Sequence, residues 1–477
     1  MKNQLAVATI LVSILSGCAL GPIYNPPQDQ TPPHWHSAIS TTMNSCEVDN
    51  FIWWERLQDP YLNQLIEIAS LQNLDLQIAA TRVFQARIEA NGKKADLYPR
   101  IDGTVNAGDV FFSKEALTHG LWGAPKASNC QHFRRNVNYF EFGFDAQWEI
   151  DFFGMTKHNV AALKATEEAA QESLCAVWVT LSAEIAKNYI ELRSLQARLG
   201  LIARQIELKD AIITLTQELL ARGVINEMEL YNAQAQRSTL QAESPILELE
   251  IKRAIHRLSV LLGLAPGELF ECLEIALALP KLPEQMPIGI PSDLLRRRPD
   301  IRKAERELAA ATARVGSAIA ALFPRFSLNG FLGQISTNVG SLFKPSSTAF
   351  LAGPQLSIPI FNSSLLLQSV DYNKMATRES LFNYQKVVLE ALEESENAIC
   401  TYWHDCERFK NLSVAYDKYQ QTNLLAHQLY QKGVLDNFKV IEATANLLKS
   451  EDTLLQSQTN LLIDYITLYK VLGGTWQ

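Results

Sequence analysis

The stretch NLDLQIAATRVFQARIEANGKKADLYPRI, which begins at Asn73, is matched by RPDIRKAERELAAATARVGSAIAALFPRF, which begins at Arg298. Both copies end on one pattern, Leu97-Tyr98-Pro99-Arg100 in the first and Leu322-Phe323-Pro324-Arg325 in the second. Self-similarity over a segment of this length indicates one structural unit that is used twice. We therefore divide the chain into two similar halves, repeat 1 at 60–285 and repeat 2 at 286–477, rather than into unrelated domains.

Each half follows one predicted order of elements: a helix, two strands, a very long helix and a shorter helix. The first helices are predicted at 60–97 and 292–322, and the very long ones at 156–219 and 363–431. The four strands are predicted at about 99–112, 137–151, 324–336 and 348–361. Between the halves, the prolines of 264–291 indicate a crossover segment rather than a flexible linker.

The strands are predicted from a period of two in hydrophobicity. From Phe140 to Ile150 every second residue is apolar, and the alternate residues include Glu141, Asp145 and Glu149. An apolar face opposite a polar face over about ten residues is typical of a membrane β-barrel strand, with lipid outside and water inside. A half-buried sheet of a soluble protein is the alternative. The acidic row favours the barrel, because a soluble core sheet needs no continuous wet face.

Four strands do not close a barrel, because small barrels need about eight. An open sheet edge is not tolerated in lipid. If these strands cross a membrane, several chains must therefore share one barrel, and three copies supply twelve strands.

The long helices carry a heptad pattern. In the first, apolar residues recur every seven positions, at Trp178, Ile185, Leu192, Leu199, Ile206, Ile213 and Leu220. The shorter helix that follows repeats the pattern with Leu240, Leu247, Ala254 and Leu261. A sustained heptad seam predicts coiled-coil packing.

The N-terminus resembles the signal peptide of a bacterial lipoprotein. Lys2 precedes an apolar stretch, Ala6 to Leu15, that is too short to span a bilayer. Leu15-Ser16-Gly17-Cys18 resembles a lipobox, in which the cysteine becomes the first mature residue and carries acyl chains. We predict a signal peptide at 1–17, lipidation of Cys18, and an extended Pro-rich segment at 18–59. An ordinary signal peptide with a chance cysteine is the alternative.

Composition and motifs exclude several classes of function. The net charge is −8 and no block of like charges stands out, so nucleic acid is not an expected partner. No phosphate loop, zinc motif or nucleophile elbow is present, so we expect no catalytic residues, no metal and no cofactor. Export permits disulfides, but spacing leaves the pairing of the other six cysteines open: Cys46, Cys130, Cys175, Cys272, Cys400 and Cys406.

Several motifs resemble the TolC family of outer membrane efflux factors, in particular its NodT-type lipoprotein branch. They are Gly21-Pro22-Ile23-Tyr24, Trp53-Trp54, Asp59-Pro60-Tyr61-Leu62 and, most specifically, IPSDLLRRRPDIRKAE from Ile290 to Glu305. The resemblance implies a mixed membrane protein: a homotrimer with a twelve-stranded outer-membrane β-barrel continued by a long α-helical coiled-coil barrel in the periplasm. It also implies a passive duct that receives cargo from an inner membrane pump of the RND type through a periplasmic adaptor.

The resemblance further implies where the adaptor docks and where the duct closes. The adaptor would meet two turns between long and short helices, Arg222-Gly223-Val224 and Lys432-Gly433-Val434. Helix capping by these glycines must hold as well. The gate positions of TolC correspond to Lys439 and Glu442, where the lysine reverses the charge that TolC carries. A TolC-type latch corresponds to Tyr430 and Glu229, while its arginine corresponds to Leu435.

Drugs or other small toxic compounds are the expected cargo. Protein secretion through the same duct is one alternative, and a periplasmic coiled-coil scaffold without a pore is another. The segment at about 112–137 is expected to form an extracellular loop.

Overall fold

The computed structural model describes residues 20–27, 31–36, 52–111, 136–283, 293–361 and 363–474. The predicted signal peptide, Cys18, Cys46, Cys130 and nearly all of the predicted loop at 112–137 lie outside these ranges. The cysteines that the structure describes, Cys175, Cys272, Cys400 and Cys406, are free thiols.

Seven helices of more than ten residues and four strands make up the described chain. The first half contains α1 (Pro60–Gln72), α2 (Leu74–Ala95), β1 (Arg100–Phe111), β2 (Asn136–Ile150), α3 (Met155–Ala221) and α4 (Glu227–Leu261). The second half contains α5 (Pro299–Ala320), β3 (Arg325–Ser336), β4 (Thr348–Ser357), α6 (Ser363–Gln431) and α7 (Asn437–Val471). Single helical turns lie at Phe270–Leu273 and Leu294–Arg297.

The predicted helix at 60–97 is wrong in one respect, because it is two helices. Asn73 separates α1 from α2: its side-chain oxygen accepts the Leu76 N–H at 2.8 Å, and its amide donates to the Leu261 carbonyl at 2.8 Å. The prediction at 292–322 is broken in the same way at Arg298, whose backbone is extended because Pro299 follows it. β4 ends at Ser357 rather than at 361, where Pro359 would lack a backbone donor.

The four strands form one antiparallel sheet in the order β1-β2-β3-β4. The register aligns the apolar residues of all four strands on one face, as in the row Gly103, Phe144, Leu332 and Phe350. The opposite face carries rows such as Arg100, Gln147, Asn329 and Gly353. This second face is not wholly polar, since Phe331 and Leu351 lie on it beside Asp102 and Asp145.

The chain divides into two compact units. Unit 1 contains residues 84–168 and 306–382, which include the sheet and the adjoining parts of α2, α3, α5 and α6. Its buried apolar cluster consists of Ala165, Ala309 and Ala310, with Tyr24 packed against them. Neither face of the sheet is covered, because all its described side chains but one glycine are exposed or half-buried.

Unit 2 contains the main core, which is built where α1, α3, α4, α6 and α7 meet. Trp53 stacks on Tyr469 with ring centroids 6.0 Å apart. Asp59 caps α1 by accepting the N–H groups of Tyr61 and Leu62, and its second oxygen accepts the Tyr189 hydroxyl at 2.8 Å. The Trp-Trp and Asp-Pro-Tyr-Leu motifs are therefore explained by packing and capping.

The RRRPD run forms an ionic junction around the buried side chain of Arg298 in unit 2. The Arg298 guanidinium donates to Asp300, to Glu394 at 2.8 Å and to the Val471 carbonyl at 3.2 Å. The two carboxylates outweigh burial and raise the pKa of Arg298. The junction ties the start of α5 to α6 and to the end of α7.

The heptad seam of α3 is buried only in part. Ile185 and Leu192 are fully buried, whereas Leu199, Ile206 and Ile213 are half-buried. The seam is therefore incompletely covered within one chain toward the end of the helix. Among the described helices, all are too polar or too short to serve as an apolar membrane span.

Candidate functional site

The two predicted docking turns have the same backbone geometry. Gly223 and Gly433 both have φ +71°. The N–H of Gly223 donates to Leu220 at 2.9 Å and the N–H of Val224 to Leu219 at 3.0 Å. At the second turn Gly433 donates to Tyr430 and Val434 to Leu429 at the same distances. Paired bonds of this kind, with a left-handed residue between them, are a Schellman C-cap, for which glycine is preferred.

The next helix begins four residues beyond each glycine, at Glu227 and at Asn437. The Asn226 side chain accepts the Met228 N–H at 3.1 Å and caps α4, and the Asp436 side chain accepts the Lys439 N–H at 2.9 Å and caps α7. Each turn is thus fixed from both sides. The two halves present equivalent helix–turn–helix ends.

The surface of both turns is open. Arg222, Gly223 and Val224 are exposed, and so are Lys432, Gly433 and Val434. A Cβ atom placed on either glycine would meet nothing within 4 Å. The two valines are 66% and 71% exposed. Each turn therefore offers a bare backbone flanked by one cation and one apolar side chain.

The structure brings the two predicted gate residues together. Lys439 Nζ lies 2.7 Å from a carboxylate oxygen of Glu442 on the same helix, and both side chains are more than half exposed. The hydrogen bond to Glu442 raises the pKa of Lys439. The lysine therefore pairs with the acid of the predicted gate within one chain.

The two predicted latch residues are both exposed. Within the described residues of this single chain, no hydrogen bond joins the hydroxyl of Tyr430 to the carboxylate of Glu229. Leu435, which takes the place of the arginine, is half-buried. The latch stays a prediction.

The residues after the predicted lipidation site are clasped in unit 1. The Leu20 N–H donates to the Phe153 carbonyl at 3.2 Å, and His158 Nε2 lies 3.0 Å from the Leu20 carbonyl oxygen. Gly21 has φ +146°, and a Cβ there would lie 2.6 Å from the Cα of Gly316. A Cβ on Gly316 would in turn lie 2.6 Å from the His158 ring. We call these five residues the N-terminal clasp.

Tyr24 completes this contact. Its ring packs on the alanines of α3 and α5, and the Arg306 guanidinium lies 5.9 Å from the ring centroid. Arg306 also donates to Glu168 at 3.2 Å. The Gly-Pro-Ile-Tyr motif is therefore a docking segment that needs glycine at one end and an aromatic ring at the other.

A matched pair of glycine substitutions tests the clasp. Gly316 and Gly92 both lie in helices, but a Cβ on Gly92 meets nothing within 4 Å. We expect Gly92→Ala to stabilise the protein by up to ~1 kcal/mol through helix propensity. Gly316→Ala should instead destabilise it by about 1–3 kcal/mol, because the methyl group collides with His158.

Thermal unfolding and limited proteolysis of the N-terminal segment measure both effects. The Gly316→Ala protein should be cleaved faster after Tyr24 than the Gly92→Ala protein. Equal melting shifts and equal cleavage in the two variants would show that the clasp does not hold the segment.

Sequence reasoning missed the groups whose partners are distant along the chain. Arg193 is fully buried, donates to the Ile275 carbonyl at 2.7 Å and lies over the Tyr189 ring. Gln196 fixes the same crossover segment through the Leu273 carbonyl at 2.6 Å. The only signal in the sequence was a polar pair interrupting an apolar helical face.

The chain is similar to known proteins over most of its length. The family model described as "Outer membrane efflux protein" matches residues 65–264 and 290–474, one stretch in each half. "Solvent efflux pump outer membrane protein SrpC" of Pseudomonas putida is 30% identical, over 97% of this chain and 96% of that protein. "Nodulation protein T" of Rhizobium leguminosarum bv. trifolii is 28% identical, over 96% of this chain and 94% of that protein. The solved outer-membrane channel OprN is 32% identical, with a TM-score of 0.85 over 96% of this chain and 100% of that chain.

The chain therefore belongs to the outer membrane efflux protein family. The resemblance to the TolC family in its NodT-type branch is confirmed. The protein is an outer-membrane efflux component, and its fold of long helices with one small sheet is TolC-like.

Proposed function

We propose that three copies of this chain form a passive duct through which an inner membrane pump exports small toxic compounds. The observation that carries the proposal is the four-stranded sheet with one apolar face and no core on either side. A half-buried soluble sheet would have its apolar face covered. In a membrane barrel, lipid would cover the apolar face and water would solvate the polar face.

The open edges of the sheet support the trimer. Within the described residues, β1 and β4 each pair on one side only. Their outer edges would carry unpaired backbone groups into lipid, which costs several kcal/mol for each group. Pairing β4 of one chain with β1 of the next removes both edges. Three copies close a barrel of twelve strands.

The helices support the same assembly. The half-buried heptad residues of α3 lie toward the turns, where one chain leaves the seam incompletely covered. Neighbouring copies would cover it as a coiled-coil barrel. The two open turns, at Gly223 and Gly433, would then alternate around the end of that barrel as docking points for a periplasmic adaptor.

The N-terminal clasp supports lipid anchoring through Cys18. Leu20 is fixed to Phe153, one of a group of phenylalanines that also includes Phe152, Phe323 and Phe326. Two residues reach at most ~7 Å. If Cys18 is lipidated, the contacts of Leu20 would hold the chain that follows it beside these aromatic side chains, which favour the interface between lipid and water.

Closure of the duct is proposed at the second turn. The Lys439–Glu442 pair would replace an acidic ring by neutral pairs and remove the mutual repulsion of the acids in such a ring. We also propose that Tyr430 and Glu229 meet in the closed trimer. Tyr430→Phe should then increase the resting conductance of the protein in planar bilayers. Unchanged conductance would remove the latch.

Drugs or other small toxic compounds are the proposed cargo, and the name of the relative SrpC, a solvent efflux pump protein, supports this choice. An export assay tests this choice. Cells that lack the chain should accumulate a fluorescent efflux dye, and restoring the chain should return accumulation to the original level. Secretion of a protein that stops in the mutant while dye export continues would favour the secretion alternative.

A further inference from the structure

Two carboxyl groups face each other between α6 and α7 in unit 2. Asp405 lies on α6 and Asp464 on α7, and their side chains are within hydrogen-bonding contact. The turn of helix that holds Asp405 also holds Tyr402 and Cys406, which contact each other. None of these groups belongs to the turns, the gate or the clasp.

A hydrogen bond between the two carboxyl groups needs a proton on one of them. Among the described residues, no donor reaches the buried Oδ2 of Asp464. Two ionised carboxylates are both acceptors and make no hydrogen bond, whereas a carboxylic acid donates to a carboxylate. One proton shared between Asp405 and Asp464 would therefore join the two helices by a hydrogen bond.

The surroundings do not neutralise Asp464. On α6 the charged neighbour is Arg408, which lies 3.9 Å from Asp405 rather than from Asp464. On α7 the neighbouring titratable groups are Tyr465 and Tyr469. The guanidinium of Arg56, which precedes α1, donates to the Tyr469 hydroxyl at 3.4 Å.

On its other side Asp464 borders a cavity of about 430 Å³ in unit 2. This cavity is also lined by Glu394 and Lys470. Glu394 is already paired with Arg298, and within the described residues no ion pair joins Lys470 to Asp464.

The direction of titration follows from this environment. Burial, with Asp405 adding to it, raises the pKa of Asp464 from 3.8 to about 7. The folded protein therefore binds more protons than the unfolded chain between about pH 4 and pH 7, so stability falls as pH rises through that window. Above about pH 7 Asp464 loses its proton, and the hydrogen bond that this proton makes with Asp405 is lost with it.

We propose that Asp405 and Asp464 form a proton-operated clamp between α6 and α7, closed when they share a proton and loosened when that proton is lost. These are the two helices of the second half that end at the Lys432-Gly433-Val434 turn and begin again beyond it. The clamp would make the mobility of this helix pair respond to the pH outside the cytoplasm, which cells do not buffer tightly.

Substituting one carboxyl group by an amide tests the clamp. Asp464→Asn places a permanent donor beside Asp405 and should fix the closed form at every pH. Asp417→Asn is the matched control, because Asp417 is an exposed acid on the same helix as Asp405. Asp405→Asn is the reciprocal variant, which keeps the test decisive if Asp464→Asn does not fold.

Hydrogen exchange and thermal unfolding of the full-length protein in detergent, from about pH 5.5 to about 8.5, provide the readout. After correction for intrinsic exchange, the wild-type segments around 402–409 and 460–467 should open about tenfold faster at pH 8 than at pH 6. The melting temperature should fall over the same interval. Both dependences should persist in Asp417→Asn and disappear in Asp464→Asn or Asp405→Asn.

Two results would overturn the clamp. One is a wild-type pH profile that is retained in both amide variants. The other is an Asp417→Asn profile that flattens like theirs, since that would assign the effect to general surface charge.

Discussion

A strain whose only copy of the chain carries both Gly223→Val and Gly433→Val is expected to lose dye export completely, while the protein remains in the outer membrane as a trimer. Both glycines have φ +71°. A β-branched residue held there costs of order 1–3 kcal/mol, so the turn should refold locally. Because nothing packs within 4 Å of either position, the damage should stay at the turns and spare the core.

Asparagine at the same positions separates capping from docking. Asparagine tolerates the left-handed conformation, so Gly223→Asn with Gly433→Asn should keep the turn and add a side chain to its surface. Export that survives asparagine but not valine would mean that the glycines are needed only for the conformation of the turn. Gly200→Ala, at an open position within α3, controls for loss of a glycine elsewhere. Normal export by the double valine variant would contradict docking at these turns.

Phe144→Lys is expected to abolish assembly in the outer membrane. Phe144 lies in the central part of β2, on the apolar face, between Gly103 and Leu332. A lysine on the lipid-facing side of a barrel costs about 2–4 kcal/mol near the bilayer midplane. Three copies would multiply that cost in a trimer. Fractionation should find the variant degraded or outside the membrane, with no trimer in mild detergent.

The neighbouring residue supplies the control. Asp145 lies on the other face, beside Asp102, where the duct is proposed to hold water. Asp145→Lys should therefore assemble normally, and any change should be in ion selectivity. Equal tolerance of lysine at both positions would mean that neither face of the sheet meets lipid.

Patterns of short period predicted most of the fold. The alternation from Phe140 to Ile150 places the strand because side chains in a strand repeat every two residues. The heptads predict α3 and α4 because apolar residues repeated every seven positions lie along one side of a helix. The glycines at 223 and 433 were predicted as turns because only a few residues adopt a left-handed C-cap at low cost. Each of these signals is local.

What the sequence did not predict depends on partners far along the chain. The Asn73 side chain, where α1 and α2 separate, donates to the Leu261 carbonyl. The buried Arg193 guanidinium donates to the carbonyl of Ile275 in the crossover segment. Asp405 and Asp464 belong to different helices, and nothing in either helix alone indicates that they meet. The latch could not be decided either, because Tyr430 and Glu229 lie in different halves and their contact depends on how helices pack in the assembly.

Three chains that contribute four strands each would close one barrel around a water-filled pore, and one paired measurement tests this assembly directly. The detergent-solubilised protein should be weighed and, from the same preparation, inserted into a planar bilayer. We predict a particle of about three times the 53.4 kDa chain mass, together with discrete, stable ion conductance. A monomer that never conducts would contradict the account.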